Sequence, residues 1–195
     1  LLHDKETKVI LAYVEDIKAG RKFLEVARKV TIKKPVVVIK SGKSEAGARA
    51  ASSHTGAIAG SDKIYAAAFE QAGIFRAKDM EEFFDTGKAL AMQPPALGKN
   101  IGILTDAGGP GVMTVDELEL LGLTVEPFSE ETSQKFDKLK ADGVILKIAA
   151  THNPVDLTGS VTDDQFEISV DLMLQDSEID GVIFLGLHHM PGLRE

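Results

Sequence analysis

At 195 residues, with 44% hydrophobic and 27% charged side chains, the chain has ordinary soluble globular composition and length enough for one large or two small domains. No apolar run approaches the roughly 18–20 residues of a membrane span, no signal-peptide pattern opens the sequence, and the lack of cysteine excludes disulfides and thiolate zinc sites, so a cytoplasmic protein is expected. The net charge of −8 is uneven, with 16 basic against 12 acidic residues up to position 95 and 6 against 18 beyond it, which together with 6% aromatics argues against nucleic-acid binding.

The opening "LLHDKETKV" reads as the tail of an element already under way, so a fragment of a larger polypeptide is expected. "KVILAYVE" (8–15) is too short for a helix and too continuously apolar for a half-exposed strand, and reads as a buried parallel strand. Phe23, Leu24, Ala27 and Val30 then recur at helical spacing over 19–32, and "KPVVVIK" (34–40) is a second buried strand. This is a β-α-β unit. The segment "ARAASSHTGAIAGSDK" (48–63) follows, and a helix over 62–73 carries Ile64, Ala67, Ala68 and Gln71 on one side and ends at Gly73. Asp79 caps another helix over 79–92.

Pro94, Pro95 and Gly98 mark a linker at 94–98, so residues 1–93 and 99–195 are expected to be separate domains. The pattern restarts with a strand over 100–106, the turn "AGGPG", a helix over 112–122 and a strand over 123–128. A polar helix (129–140), a strand "GVILKI" (143–148), the loop "AATHNPVDLTGS", a helix (163–177) and a strand (179–187) complete it. Each half is shorter than the roughly 100–150 residues of a usual domain, so truncation at one or both ends is expected.

"SGKS" (41–44) is not a phosphate-binding P-loop, because Val37 stands where that motif needs glycine. "GGPG" (108–111) follows a strand and opens a helix, the right context for an anion cradle, although Thr114 replaces the last glycine of a dinucleotide fingerprint. A tight β-α turn is the plain alternative. His54 stands among Ser52, Ser53, Thr55, Gly56 and Ala57, with Lys40, Lys43 and Arg49 before it to attract a phosphate. An imidazole that attacks through one nitrogen needs a carboxylate on the other N–H. Glu15, at the carboxyl end of the first strand, is the candidate and Asp16 its rival; strand ends of this kind are where α/β sites assemble. Asn153, Pro154 and Asp156 form a turn in which Asp156 is expected to fix the loop, and His152, His188 and His189 have no metal-ligand spacing.

Taken together, "LAYVEDIKAGRKFLEVARKV", "KPVVVIKSGKSEAGARAASSHTGAIAGSD", "TDAGGPGVMTVDELELLGL" and "NPVDLTGS" resemble the NDP-forming acyl-CoA synthetases, in particular α subunits of ADP-forming acetate–CoA ligases, relatives of succinyl-CoA synthetase. The resemblance covers nearly the whole chain, and the segment around His54 is its most specific part. It implies an α/β fold of two flavodoxin-like, three-layer, parallel-sheet CoA-ligase domains, at least one truncated. It also implies interconversion of acyl-CoA, ADP and phosphate with acid, CoA and ATP through an acyl phosphate and a phosphohistidine. His54 matches the phosphorylated histidine, Glu15 the glutamate that orients it, and Gly108, Gly109 and Gly111 a helix start that steadies the phosphoryl group, with Lys43, Arg49, Asn153 and Asp156 as supporting candidates. CoA and ADP/ATP with Mg are implied as substrates, none held tightly here.

The family's N-terminal CoA-binding Rossmann domain, the first β-α turn of the histidine-bearing domain and the ATP-grasp unit are missing from these residues. The implied partners are therefore an ATP-grasp β subunit or fused domain and that Rossmann domain, in a hetero-oligomer, and the fragment alone is expected to be inactive. Two other readings compete: a synthetase-like regulatory module of a protein acetyltransferase, opposed by His54 and Glu15, and a flavodoxin-like FMN binder using "TDAGGPG".

Overall fold

A computed structural model of the chain describes residues 1–44, 46–47, 49, 61–187 and 192. It separates into two units, Leu1–Pro95 and Ala96–Glu195.

In the first unit β1 (Ile10–Val14), β2 (Val36–Lys40) and β3 (Phe75–Ala77) form one parallel sheet in that order. Side chains alternate across a strand, so a central strand covered on both sides must be apolar throughout. In β2, Val38 packs with Ala27, Phe69, Ala72 and Ile74 on the face covered by α1 (Gly20–Thr31) and α2 (Asp62–Gln71). Val37 and Ile39 pack with Ala77 and Phe83 on the opposite face, under α3 (Met80–Met92). That gives three layers. Asp79 caps α3, accepting from the Glu82 amide at 2.9 Å, and Gly73, at φ +66°, ends α2 as its sequence predicts.

Two expectations need correction in this unit. β1 is an edge strand whose second face is only partly covered, by Gly87 of α3 against Leu11, so Leu11 and Tyr13 on it are 40% and 60% exposed. α2 turns a different side inward: Phe69 and Ala72 are buried while Ile64 is 69% exposed. A stripe of Tyr65, Phe69 and Ala72 buries more apolar area than one of isoleucine, alanines and glutamine. β3 was not expected from the sequence, since three residues are too short to show a period.

In the second unit β4 (Ile101–Thr105) lies between β5 (Val155–Asp156) and β6 (Gly181–Leu185), all parallel. α4 (Gly108–Leu120) covers the Ile101/Ile103 face through Leu118 and Val115. α5 (Glu130–Ala141) and α6 (Asp163–Leu174) cover the Leu104 face through Phe136, Leu172 and Met173. Gly102 fits here because a Cβ would lie 2.8 Å from Met173 Cε.

Two expected strands are not strands. At 143–148, Gly143 (φ +73°) ends α5 and the amides of Val144 and Ile145 turn back to the Leu139 carbonyl, which spends the donors a ladder would need. At 123–128 only Thr124 bridges to Asn100; beyond it the Glu126 amide donates to Asn100 Oδ1 and its carbonyl accepts from Asn153 Nδ2, so side chains take the ladder positions. Conversely, Val155–Asp156, expected as loop, is β5. Among the described residues no helix is long and apolar enough to cross a membrane.

Candidate functional site

At the carboxyl end of the first sheet, Glu15 directly follows β1, is exposed, and makes no hydrogen bond to the described residues. It lines an open cavity of about 660 Å³ with Tyr13, Asp16, Lys18 and Phe23. Its rival Asp16 is already engaged: Oδ1 accepts from the Tyr65 hydroxyl at 2.6 Å. Lys40, the last residue of β2, is 3% exposed, with Nζ 4.6 Å from the Tyr65 ring centroid and donating to the Ser41 carbonyl. Burial holds its ammonium below the usual lysine range, against the pull of Asp62, Asp16 and Glu15. An ion pair of Arg76 with Asp62 ties β3 to the start of α2.

His54 lies outside the described residues, between the end of β2 at Lys40 and the start of α2 at Asp62. Lys43 is exposed and donates to the Lys78 carbonyl at 2.7 Å, so one of its three donors serves the loop before α3. Arg49 is exposed.

The Tyr65 hydroxyl holds the Asp16 carboxyl below the usual carboxylate range. A depressed folded pKa gives stability that is fully present above the unfolded value near 3.9 and is lost as pH falls through the folded one. Denaturant melts are therefore expected to show Tyr65→Phe about 1 kcal/mol less stable at pH 7, with the gap closing toward pH 3. A gap that widens in acid would contradict this.

In the second unit α4 starts without a side-chain cap. The Ala107 amide is taken by Thr105 Oγ1 at 3.1 Å, Pro110 has no N–H, and the Gly111 amide bonds to the Ala107 carbonyl at 3.4 Å. That leaves the Gly108 and Gly109 amides without a partner among the described residues, at the positive end of a helix. Both glycines are exposed. Gly111 differs from its two neighbours: it is buried, its amide bonds within the helix, and a Cβ there would lie 3.2 Å from Thr105 Cγ2 and 3.7 Å from Pro154 Cβ. Its bareness serves packing.

A Cβ on Gly109 would meet nothing within 4 Å, whereas one on Gly108 would lie 3.1 Å from Asp156 Oδ2. Gly109→Ala is therefore expected to keep the melting temperature or raise it, since alanine is favoured over glycine in a helix by about 1 kcal/mol, while Gly108→Ala displaces the carboxylate and lowers it. Calorimetry on the two variants checks the order.

Asp156 Oδ1 accepts from the Thr158 amide at 2.9 Å, the loop-fixing turn its sequence predicts. Asn153, a supporting candidate, is fully used by backbone: Oδ1 accepts from the Ile103 amide, and Nδ2 donates to the carbonyls of Ile101 and Glu126, each at 2.9 Å. Its side chain holds the loop, with both Nδ2 donors spent on carbonyls. Asp106 is absent from the sequence-derived candidates. It is 2% exposed at the end of β4, accepts from the Leu187 amide at 2.9 Å through Oδ2, and its Oδ1 has no partner among the described residues. The signal was available as an acid directly after a buried strand. Among the described residues no group of three or more acidic or histidine side chains is placed to hold a metal.

Comparison with known proteins matches residues 1–90 to the succinyl-CoA ligase like flavodoxin domain and residues 101–191 to the ligase-CoA domain. The α subunit of ADP-forming acetate–CoA ligase II from Pyrococcus furiosus is 43% identical over 94% of this chain. ADP-forming 4-hydroxybutyrate–CoA ligase from Nitrosopumilus maritimus is 37% identical over 94% of it. The solved dinucleotide-forming acetyl-coenzyme A synthetase 1 of Ca. Korarchaeum cryptofilum, in complex with phosphate and ADP, superposes with a TM-score of 0.84 at 39% identity over 94% of this chain. The chain spans 39% of the length of the Pyrococcus subunit, 26% of the Nitrosopumilus ligase and 39% of the Korarchaeum chain. Both of its α/β units are thus accounted for in order, and the chain belongs to the NDP-forming acyl-CoA synthetase family.

Proposed function

We propose that this chain is the phosphohistidine-bearing part of an NDP-forming acid–CoA ligase. The observation that carries the reading is the match of 94% of the chain, at 43% identity, to the α subunit of an ADP-forming acetate–CoA ligase. In the whole protein, phosphate displaces CoA from an acyl-CoA to give an acyl phosphate. An imidazole nitrogen of His54 then attacks phosphorus, and the carboxylate leaves as the free acid. The phosphohistidine passes its phosphoryl group to ADP, giving ATP and regenerating the imidazole.

Glu15 accepts the other imidazole N–H and favours the cationic ring that forms on attack; its carboxylate has no competing hydrogen bond among the described residues. The uncapped amides of Gly108 and Gly109 steady the phosphoryl oxygens, as a helix start does for any anion. Residues 1–93 form the histidine-bearing domain, 94–98 the linker and 99–195 the second CoA-ligase domain. CoA and ADP come as substrates, magnesium arrives with the nucleotide, and an ATP-grasp unit and a CoA-binding Rossmann domain complete a hetero-oligomer.

The test uses the parent polypeptide assembled with its nucleotide-binding partner and ATP labelled at the γ-phosphate. The expected result is a label on this chain that is acid-labile and base-stable. Turnover without any label, or with an acid-stable one, would overturn the reading.

A further inference from the structure

The catalytic part assigned to Glu15 needs its carboxylate at a fixed place, yet the side chain is exposed and makes no hydrogen bond to the described residues. Its position must be set by the backbone on either side. On the near side the Val14 carbonyl accepts from the Ser41 amide at 3.1 Å, which ties the end of β1 to the end of β2. On the far side one phenol collects the turn. The Tyr65 hydroxyl donates to Asp16 Oδ1 at 2.6 Å and accepts from the Ile17 amide at 3.4 Å, bridging 49 and 48 positions of sequence.

Tyr65 is itself held. It is the fourth residue of α2, its ring lies 6.1 Å from that of Phe69 in the core, and Lys40 Nζ stands over its face. A buried ammonium over an aromatic face is a contact that fixes ring orientation and, through it, the direction of the hydroxyl. The expense of burying Lys40 is thus answered by a rigid phenol.

We propose that Tyr65, clamped between Lys40 and Asp16, is the positioning residue that sets where Glu15 stands. The inference rests on the reading of Glu15 given above. Tyr65 touches no reacting atom; it acts only through the turn Glu15-Asp16-Ile17. A purely architectural tyrosine would lower stability when truncated, with no special relation to Glu15.

The discriminating experiment is a double-mutant cycle in the assembled full-length enzyme, with Tyr65→Phe, Glu15→Ala and the two combined, and with Asp16→Ala as a second route to the same lesion. Tyr65→Phe keeps the ring and its contact with Lys40. It is expected to lower kcat by about ten-fold with KM for acyl-CoA, phosphate and ADP unchanged, the size of effect a small misplacement produces. In the Glu15→Ala background the same change is expected to cost nothing further, and Asp16→Ala is expected to reproduce the loss. Thermal melts confirm that each variant is folded at the assay temperature. Full additivity, or a Tyr65→Phe enzyme with normal kcat beside a crippled Glu15→Ala, overturns the inference while leaving the functional reading intact. A Glu15→Ala enzyme with normal kcat overturns both.

Discussion

If His54 carries the phosphoryl group as proposed, His54→Ala in the assembled enzyme is expected to cut ATP formation from acyl-CoA, phosphate and ADP by at least about a thousand-fold, because it removes the nucleophile that divides phosphoryl transfer into two displacements. Without it, ADP must meet the acyl phosphate directly, and none of the positioning that phosphoryl transfer depends on is arranged for that encounter. The half-reaction before the histidine does not use its imidazole. Phosphate-dependent exchange of CoA with acyl-CoA should therefore survive in the variant, while the acid-labile label disappears. The contrast is more informative than the loss alone: a misfolded enzyme would lose both. ATP formation within ten-fold of wild type, or a label that remains in the variant, would place the phosphoryl carrier elsewhere.

The strands with the strongest local signature were legible because burial on both faces leaves little to infer: β2 runs through four apolar residues before Lys40, β4 reads IGILT, and both sit at the centres of their sheets. Helices with a capping acid or a left-handed glycine, as at Asp79 and Gly73, were equally plain. What the sequence misled about was hydrogen-bond ownership. "GVILKI" is as apolar as a strand, yet its first amides already belong to the end of α5. "LTVEPF" loses its ladder to two asparagine side chains, and "VD" at 155–156 joins a sheet with no pattern of its own. The site divides in the same way. Glu15 and the Gly108-Gly109 helix start follow from strand ends and backbone chemistry, which local sequence encodes. That Asp16 is engaged depended on Tyr65, 49 positions away, and the partner of the buried acid Asp106 is Leu187, 81 positions away, although an acid directly after a buried strand could be read locally.

Asn153→Ala is expected to be the most destabilising of the substitutions considered, although Asn153 touches no candidate catalytic group. β5 pairs with β4 only at Leu104 and Thr105, so on that side the Ile103 amide and the Ile101 carbonyl of a fully buried strand lie beyond its reach. The Asn153 amide supplies one acceptor and one donor to them, standing in for a strand residue, and gives its second donor to Glu126. Alanine would leave the Ile103 amide and the Ile101 carbonyl of the buried strand unmatched, at about 1 kcal/mol or more each, while water can take the exposed Glu126 carbonyl, and so about 2 kcal/mol in all. For a unit of this size that is a fall of roughly 8–16 °C in melting temperature. Asn153→Asp keeps the acceptor but sets a carboxylate oxygen against two carbonyl oxygens, so it is expected to be no better than alanine. Scanning calorimetry decides the matter, and a fall under 2 °C for alanine would refute the account. The same loss would loosen β5, and with it Asp156 and the turn beside Gly108. Lowered activity in Asn153 variants is therefore expected to track their unfolding temperature, which a residue binding phosphate directly would not require.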